Sequence, residues 1–510
     1  MSETFYITTP LYYPSARPHV GSAFEIIGID VLARFNRMMG RDVFLLTGMD
    51  EHGEKIQRKA DEKGVSQQQY VDEMADLYKD IWHRLGISFD DFIRTTEPRH
   101  VHAVQTFYER VRDNGDIYSG TYEGWYCVRC ENFLTDAQLV DGRCVECGEE
   151  ATKSTEEGYF FRMSKYQQPL LEHIEAHPEF IRPDFRRNEM VSFIRGGLSD
   201  VCISRAAIHW GTRLPDDPAK VIYVWFDALI NYVTGCGFAS DDARFARWWP
   251  ADVHVVGKDI LRFHTVLWPT MLMSAGLPLP RQVFGHGWVM AEKGEKMSKS
   301  VGNVVDAQEL VETYGADAVR YFLLREITYA VDGAFSTAKL IGRINNDLGN
   351  DLGNLLHRTL SMIEKYFDGI VPQAGPRAEE DEALAAAADG LLDEVAELVG
   401  SFQFNRALEA VWRLVSEANR YVEICKPWAL AKDPAARERL ATVMYNLADA
   451  VRIVSLIIEP FLPLTAVQMA KQLGLGRPEG DIRELVRRGL MPAGTKVAKG
   501  APLFPRIEAD

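Results

Sequence analysis

Residues 5–46 constrain the fold more than any other stretch. An apolar run, Phe5-Tyr6-Ile7-Thr8-Thr9, reads as a short strand, and Pro10, Pro14 and Pro18 then forbid helix up to residue 18. From there Val20, Ile27, Val31, Ala33, Phe35 and Met38 recur with helical period until Gly40, where a C-terminal cap is expected. Asp42-Val43-Phe44-Leu45-Leu46 follows as a buried-strand pattern. Strand, crossover helix and strand make a βαβ unit, so a parallel sheet is expected. His19 and Gly21 then sit at a helix N-terminus, whose free N–H groups and partial positive charge suit phosphate. His19 can donate to an anionic oxygen, and Gly21 lets a flat ring approach the backbone. Taken alone, a Pro-His at a helix start is more often a cap than a catalytic residue.

The second strand ends at Thr47-Gly48-Met49-Asp50-Glu51-His52-Gly53. Ligands of parallel sheets gather at strand C-termini, which sets this loop beside His19. Asp50 and Glu51 can hold an ammonium group, or can cap the helix expected over 55–63. His52 belongs to no His-Glu-x-x-His pair. A further helix is expected over 66–85.

Residues 116–220 differ in character. Aromatics and glycines crowd 118–126, and two Cys-x-x-Cys knuckles follow: Cys127 with Cys130, then Cys144 with Cys147. At this spacing four thiolates can close tetrahedrally on one Zn²⁺ and leave no open position, so the metal is structural. Such a ribbon can also bind nucleic acid, so zinc does not decide function. The sheet is expected to resume at Val221–Phe226. Trp225, Ala228 and Tyr232 have helical spacing, and such an aromatic stripe is more often core than pocket. A strand over 253–256 precedes Gly257, Asp259, Ile260 and His264; Asp259 can accept from a ribose hydroxyl, and His264 lies on an apolar helix where it reads as a core histidine. A last strand is expected over 283–290. It leads into Glu292-Lys293-Gly294-Glu295-Lys296-Met297-Ser298-Lys299-Ser300, a glycine-flanked loop whose two ammonium groups suit a polyphosphate.

Beyond about residue 337 the chain turns helical, with apolar residues at Leu340, Ile344, Leu348, Leu352, Leu355 and Ile363 and helices expected over 380–399, 402–425 and 435–458. Asn354 and Arg358 share a helix face. Trp428 follows Pro427, off the periodic stripe; with Asn and Arg nearby it can stack on a base, or pack between helices.

The bulk numbers exclude other classes. The 510 residues suffice for three or four domains. A formal charge of −16 argues against indiscriminate nucleic-acid binding while leaving room for a local basic surface. Seven cysteines without a secretory signal fit reduced thiols. No uncharged, proline-free run is long enough for a membrane span; 265–280 comes nearest and holds three prolines. A cytoplasmic protein is expected.

Together and in this order, the His19 stretch and the Lys296 stretch resemble the paired "HIGH" and "KMSKS" signatures of class I aminoacyl-tRNA synthetases. The second match is complete; in the first, Ser22 stands for the usual histidine. With 50–53, the cysteine knuckles and 257–268 between them, and Asn354, Arg358 and Trp428 beyond, the resemblance covers nearly the whole chain and is closest to the methionyl-tRNA synthetase family. It implies an α/β class I Rossmann-type parallel sheet interrupted by a zinc-ribbon insertion and followed by an all-α helical-bundle anticodon-binding domain. The implied divisions are 1–115 and 221–290 for the two sheet halves, 116–220 for the insertion, 291–337 for the lysine loop and stem-contact region, and 338–510 for the bundle. It implies activation of L-methionine by ATP with Mg²⁺, then transfer to tRNA(Met). His19, Lys296 and Lys299 would be catalytic, with Gly21, Ser22, Gly257, Asp259 and Ser298 also on ATP. Leu11, Tyr13, Asp50, Trp225, Ala228, Tyr232, Ile260 and His264 would hold methionine, Asp50 by its ammonium. The family usually has proline where Leu229 stands. Asn354, Arg358 and Trp428 would read the anticodon. Some members carry a further C-terminal module that dimerises them; this chain ends soon after the bundle, so a monomer is expected. The competing readings are another class I synthetase, a small-molecule nucleotidyltransferase sharing both signatures, and a non-enzymatic zinc-ribbon RNA-binding protein. Synthetases for leucine, isoleucine and valine carry an editing insertion for which 116–220 is too short. A cysteinyl enzyme would need a cysteine after Leu11. A nucleotidyltransferase would have no use for the helical domain.

Overall fold

The structure, a computed structural model, describes residues 3–127, 132–134, 139–145, 148–206, 208–297, 302–476 and 479–508. Six parallel strands form the central sheet: β1 (Thr4–Thr8), β2 (Asp42–Met49), β3 (Asp91–Arg94), β4 (Ile181–Arg182), β5 (Val253–Gly257) and β6 (Val283–His286). Their spatial order is β3-β2-β1-β5-β6-β4. β1 pairs with β2 on one side (Thr8 with Leu46) and with β5 on the other (Thr8 with His254). The strand order therefore reverses between β1 and β5, and a crevice opens there at the strand C-termini. Every residue of β5 is buried, as expected of a parallel strand covered on both faces. Helix α1 (Val20–Met38) crosses from β1 to β2; 14 of its 19 residues are buried, because the sheet covers one side and the helical domain the other.

Two expected strands come out differently, and one strand was not expected. Val221–Ile222 pairs antiparallel with Ser204–Arg205, outside the central sheet, because the chain turns into helix at Val224. The run over 283–290 is two strands: β6 ends at His286, and Val289–Met290 pairs with Gly333–Ala334. Between them Gly287 passes so close to Val331 that a Cβ would lie 2.1 Å from the Val331 carbonyl carbon. β4, from within 116–220, had no visible signature: it is two residues long and followed by Pro183.

The rest of that segment holds two helices, Gln167–Ala176 and Asp184–Arg195, and a separate antiparallel sheet. Its long arm pairs Ile117–Cys127 with Thr152–Phe161, from Ile117 opposite Phe161 to Tyr126 opposite Thr152. At the far end of the arm a small hairpin, Leu139–Val140 with Arg143–Cys144, turns through Gly142 at φ 75°.

From Thr337 onward the chain is a helical bundle. The helix expected over 380–399 is two helices, Asp381–Ala388 and Leu391–Gly400, broken at Gly390 with φ 73°. The first bundle helix runs Thr337–Arg343, then π-helical Ile344–Gly353, then Asn354–Phe367. The span Pro434–Ile457 is long and apolar enough to cross a membrane, but 83% of its most apolar window is buried inside the protein, so its apolarity serves the core. Bundle and sheet share one hydrophobic core: Phe284 stacks on Phe402 with centroids 3.8 Å apart. Across the same junction the wholly buried Arg320 meets Asp30 of α1 at 2.8 Å and donates to the carbonyls of Phe461 and Pro460. Burial alone would push the Asp30 carboxyl up, but Arg320 and Arg34 hold it below its ordinary value. The helix that begins at His19 is thereby fixed to the bundle.

Candidate active site

His19 is the N-cap of α1. Its backbone is extended, and its Nδ1 accepts from the amides of Gly21 at 3.0 Å and Ser22 at 3.4 Å. With Nδ1 used as acceptor, the neutral ring carries its proton on Nε2 and presents a donor there. The capping and ligand-binding readings of this histidine are therefore compatible. Gly21 has a sharper reason than ring approach: a Cβ there would sit 2.8 Å from His19 Cε1. The turn is also tied to the segment following the lysine loop, since Val20 N–H donates to the Val305 carbonyl at 2.9 Å and Arg17 Nη2 donates to Gln308 Oε1 at 2.6 Å.

Lys296 rests with its ammonium 3.9 Å from the ring centroid of Trp288, a ring that Lys258 also approaches at 4.3 Å. Lys258 pairs with Asp332 at 2.6 Å, and the Trp288 indole N–H donates to Asp259 at 3.2 Å. Ser298 and Lys299 lie outside the described residues. At Gly257 a Cβ would meet Asp259 Oδ1 at 2.6 Å, so this glycine makes room for the carboxylate. Next to it lies a buried pair that sequence reasoning missed. His286 Nε2 donates to Glu25 Oε2 at 2.7 Å, and its Nδ1 donates to the Gly287 carbonyl at 2.7 Å. Burial would push the His286 imidazole down, but these two acceptors raise it, and two acceptors require both ring nitrogens to carry protons. The one available signal was an acid, Glu25, on the buried stripe of α1.

Leu11, Tyr13, Asp50, Trp225, Ala228, Tyr232, Ile260 and His264 all line one cavity of about 200 Å³. They come from the β1–α1 turn, the end of β2, the helices Val224–Leu229 and Asn231–Gly235, and the segment after β5, so the cavity sits at the reversal of strand order. Leu229 lines it too, as do Lys55 and Asn231, which sequence reasoning did not single out. Trp225 stacks on Phe263, with centroids 3.8 Å apart and rings 4° from parallel. His264 is not merely a core residue. Its Nδ1 donates to the Ile260 carbonyl at 2.9 Å, which leaves Nε2 to accept from the Tyr232 hydroxyl at 2.7 Å. Burial pushes the His264 imidazole down to about 4, so this wall is neutral. Of the two loop acids, Glu51 is taken by Arg94 at 2.6 Å and by the Thr96 hydroxyl. Asp50 alone faces the cavity.

Two of the four cysteines, Cys130 and Cys147, lie outside the described residues. Cys127 and Cys144 are buried in one small cluster with Leu134 and Ala151, so residues 17 positions apart meet at the tip of the arm. In the bundle, Asn354 is exposed, and Trp428, 38% exposed, lies with its ring centroid 6.0 Å from the Arg358 guanidinium. Arg358 also pairs with Glu423 at 2.6 Å.

A parallel sheet whose order reverses beside a histidine-capped helix, a lysine loop after its last long strand and a helical bundle behind together define a class I aminoacyl-tRNA synthetase. Residues 5–156 and 137–360 match the family model of class I tRNA synthetases (M), and 371–510 match that of the anticodon binding domain of methionyl tRNA ligase. The chain is 52% identical to the methionine–tRNA ligase of Caldanaerobacter subterraneus subsp. tengcongensis over 100% of its own length and 80% of that relative's. It is 50% identical to that of Clostridium acetobutylicum over 99% of this chain and 78% of the relative. Among solved structures, Mycobacterium tuberculosis methionyl-tRNA synthetase in complex with methionyl-adenylate superposes with a TM-score of 0.95 at 45% identity, covering 99% of this chain and 100% of that one. The chain belongs to the methionyl-tRNA synthetase family.

Proposed function

We propose that the protein is a methionine–tRNA ligase. The carboxylate of methionine attacks the α-phosphorus of ATP, forming methionyl-adenylate and releasing pyrophosphate. A hydroxyl of the terminal tRNA ribose then attacks the methionyl carbonyl, and AMP leaves. Neither step needs a covalent enzyme intermediate, so the protein supplies positioning and charge. The observation that carries the reading is the aromatic-walled cavity with a neutral His264 on its wall and Asp50 and Lys55 in its lining, set where strand order reverses beside His19.

In this reading Asp50 holds the substrate ammonium. A flexible thioether side chain fits among Trp225, Tyr232 and His264 through sulfur–ring contacts. Neutrality of that wall suits an apolar side chain, since a charged His264 would leave an unpaired buried cation. His19 Nε2–H donates to a phosphate oxygen. Lys296 leaves Trp288 for the polyphosphate, Lys299 joins it, and Ser298 holds the loop against ATP. The Gly21 and Ser22 amides and Gly257 with Asp259 bracket the nucleotide. Mg²⁺, bound with ATP, would neutralise phosphate charge. Asn354, Arg358 and Trp428 read the anticodon: the half-exposed indole with a guanidinium over it can stack on an unpaired base and hydrogen-bond its edge. Residues 116–220, which also give β4 to the central sheet, carry the insertion toward the acceptor end, and 338–510 form the anticodon domain.

Zinc fits the tip of the arm. Cys127 and Cys144 are buried together in a cluster too small to be a core by itself, and soft thiolates at this spacing select Zn²⁺. Cys127, Cys130, Cys144 and Cys147 would hold it, and its contribution is to fold the tip.

The reading is tested by ATP-dependent charging of tRNA(Met) with labelled methionine. Charged tRNA is expected. Adenylate formed with no transfer to tRNA would favour the nucleotidyltransferase reading.

A further inference from the structure

His52 has no role in the chemistry above, although it sits two residues from Asp50. It lies in a buried polar network behind the amino-acid cavity. His52 Nδ1 donates to Asp227 Oδ2 at 2.5 Å. His100 Nε2 and the Thr212 hydroxyl both donate to Asp227 Oδ1, each at 3.2 Å. The Thr234 hydroxyl lies 3.3 Å from His100 Nδ1. Asp227 and His100 are wholly buried, and His52 nearly so. An ionised carboxylate in such a place is stable only if its lone pairs are met by well-placed donors. Three donors meet it here. Burial would push the Asp227 carboxyl up, but His52 and His100 hold it well below the carboxylate range.

The placement matters more than the stability. Asp227 lies on the short helix Val224–Leu229, between Trp225 and Ala228, which line the cavity. His52 lies on the loop that carries Asp50, another residue of the cavity lining. That loop is held from its other side by Trp210, whose indole N–H donates to the Glu51 carbonyl at 2.6 Å and whose own carbonyl accepts from Gly53 N–H at 3.2 Å. The His52–Asp227 bond therefore bridges the wall that grips the ammonium and the wall that grips the side chain.

We infer that Asp227, through its hydrogen bond to His52, is a positioning residue for the amino-acid site, fixing the distance between Asp50 and the Trp225–Ala228 wall. The inference rests on the proposed function, and it goes further by naming what sets the length of amino acid accepted. It touches only one substrate, because no residue of the network belongs to the His19 turn or to the Lys296 loop.

The test is ATP–pyrophosphate exchange with the full chain, varying methionine and ATP separately. His52→Ala is expected to raise the KM for methionine at least about tenfold and leave the KM for ATP within about twofold. His52→Asn, whose amide N–H can take the place of Nδ1–H, is expected to recover most of that loss. Asp227→Asn is expected to behave as His52→Ala, and if it does not fold, the two His52 variants carry the test. An unchanged KM for methionine, a matched rise for both substrates, or Asn no better than Ala would overturn the inference while leaving the functional reading standing. Wild-type protein with no methionine-dependent exchange would overturn both.

Discussion

Gly21→Ala separates what the α1 N-terminus does for stability from what it does for catalysis. A Cβ at this position would lie 2.8 Å from His19 Cε1 and 3.0 Å from Nδ1, closer than real Cβ contacts allow. The backbone around it is pinned through the Val20–Val305 hydrogen bond, so the imidazole is the part that yields. When the ring swings away, the Nδ1 cap to the amides of residues 21 and 22 is lost, at about 1 kcal/mol. Replacing glycine by alanine in the first turn of a helix returns about 0.5–1 kcal/mol. The two nearly cancel, and the melting temperature should move by no more than about 3 °C. Catalysis has no such offset. A hydrogen bond from Nε2–H to a phosphate oxygen is worth about 1.5–3 kcal/mol, so its loss should slow adenylate formation by roughly 10- to 150-fold. Rapid-quench measurement of methionyl-adenylate, with thermal unfolding on the same preparation, reads both quantities. An unchanged rate would refute the phosphate role of His19. A fall in melting temperature of about 10 °C would show instead that the glycine is needed by the fold.

Other consequences are equally direct. His264 has a folded pKa of about 4, against about 6.5 unfolded. Between those values the unfolded chain binds the extra proton, so the stability this histidine contributes is full above about pH 6.5 and is lost as pH falls toward 4. Denaturation at pH 7.5 and 4.5 should therefore show His264→Gln losing about 2.5 kcal/mol less than wild type, and equal losses would mean that the imidazole is not held neutral. Trp428→Ala should raise the KM for tRNA and leave methionine-dependent exchange intact; loss of both would assign Trp428 to the fold. Purified protein should carry one zinc per chain, and Cys147→Ser should lower that content. Metal content unaffected by the substitution would contradict the four-thiolate site.

What the sequence revealed followed physical rules with local range. The β1–α1–β2 unit was legible because its prolines, helical period and apolar strands all point the same way. The cavity residues on the β1–α1 turn and after β5 were locatable by resemblance, and their side chains converge because parallel strands deliver their C-termini to one edge. Two-residue strands were not legible: β4 makes a pair of ladder contacts with β6 and leaves no periodicity to detect. Nor was the break at Gly390, since a lone glycine in an alanine- and leucine-rich run reads equally as a tolerated helix residue. Least visible were the buried polar groups, Glu25 with His286 and Asp227 with His52 and His100. Their partners lie 261, 175 and 127 residues apart, and only the fold brings them together. His264 shows the same limit in reverse. An apolar helix suggested a core histidine, whereas the structure places it on the cavity wall with both ring nitrogens engaged.

The most direct test of the central claim is amino-acid-dependent ATP–pyrophosphate exchange without tRNA, run across the twenty standard amino acids. The aromatic cavity, lined by Asp50 and walled by the neutral His264, predicts exchange with methionine and background rates with the other nineteen. Exchange driven by a different amino acid, or by none, would contradict the assignment of that cavity to methionine.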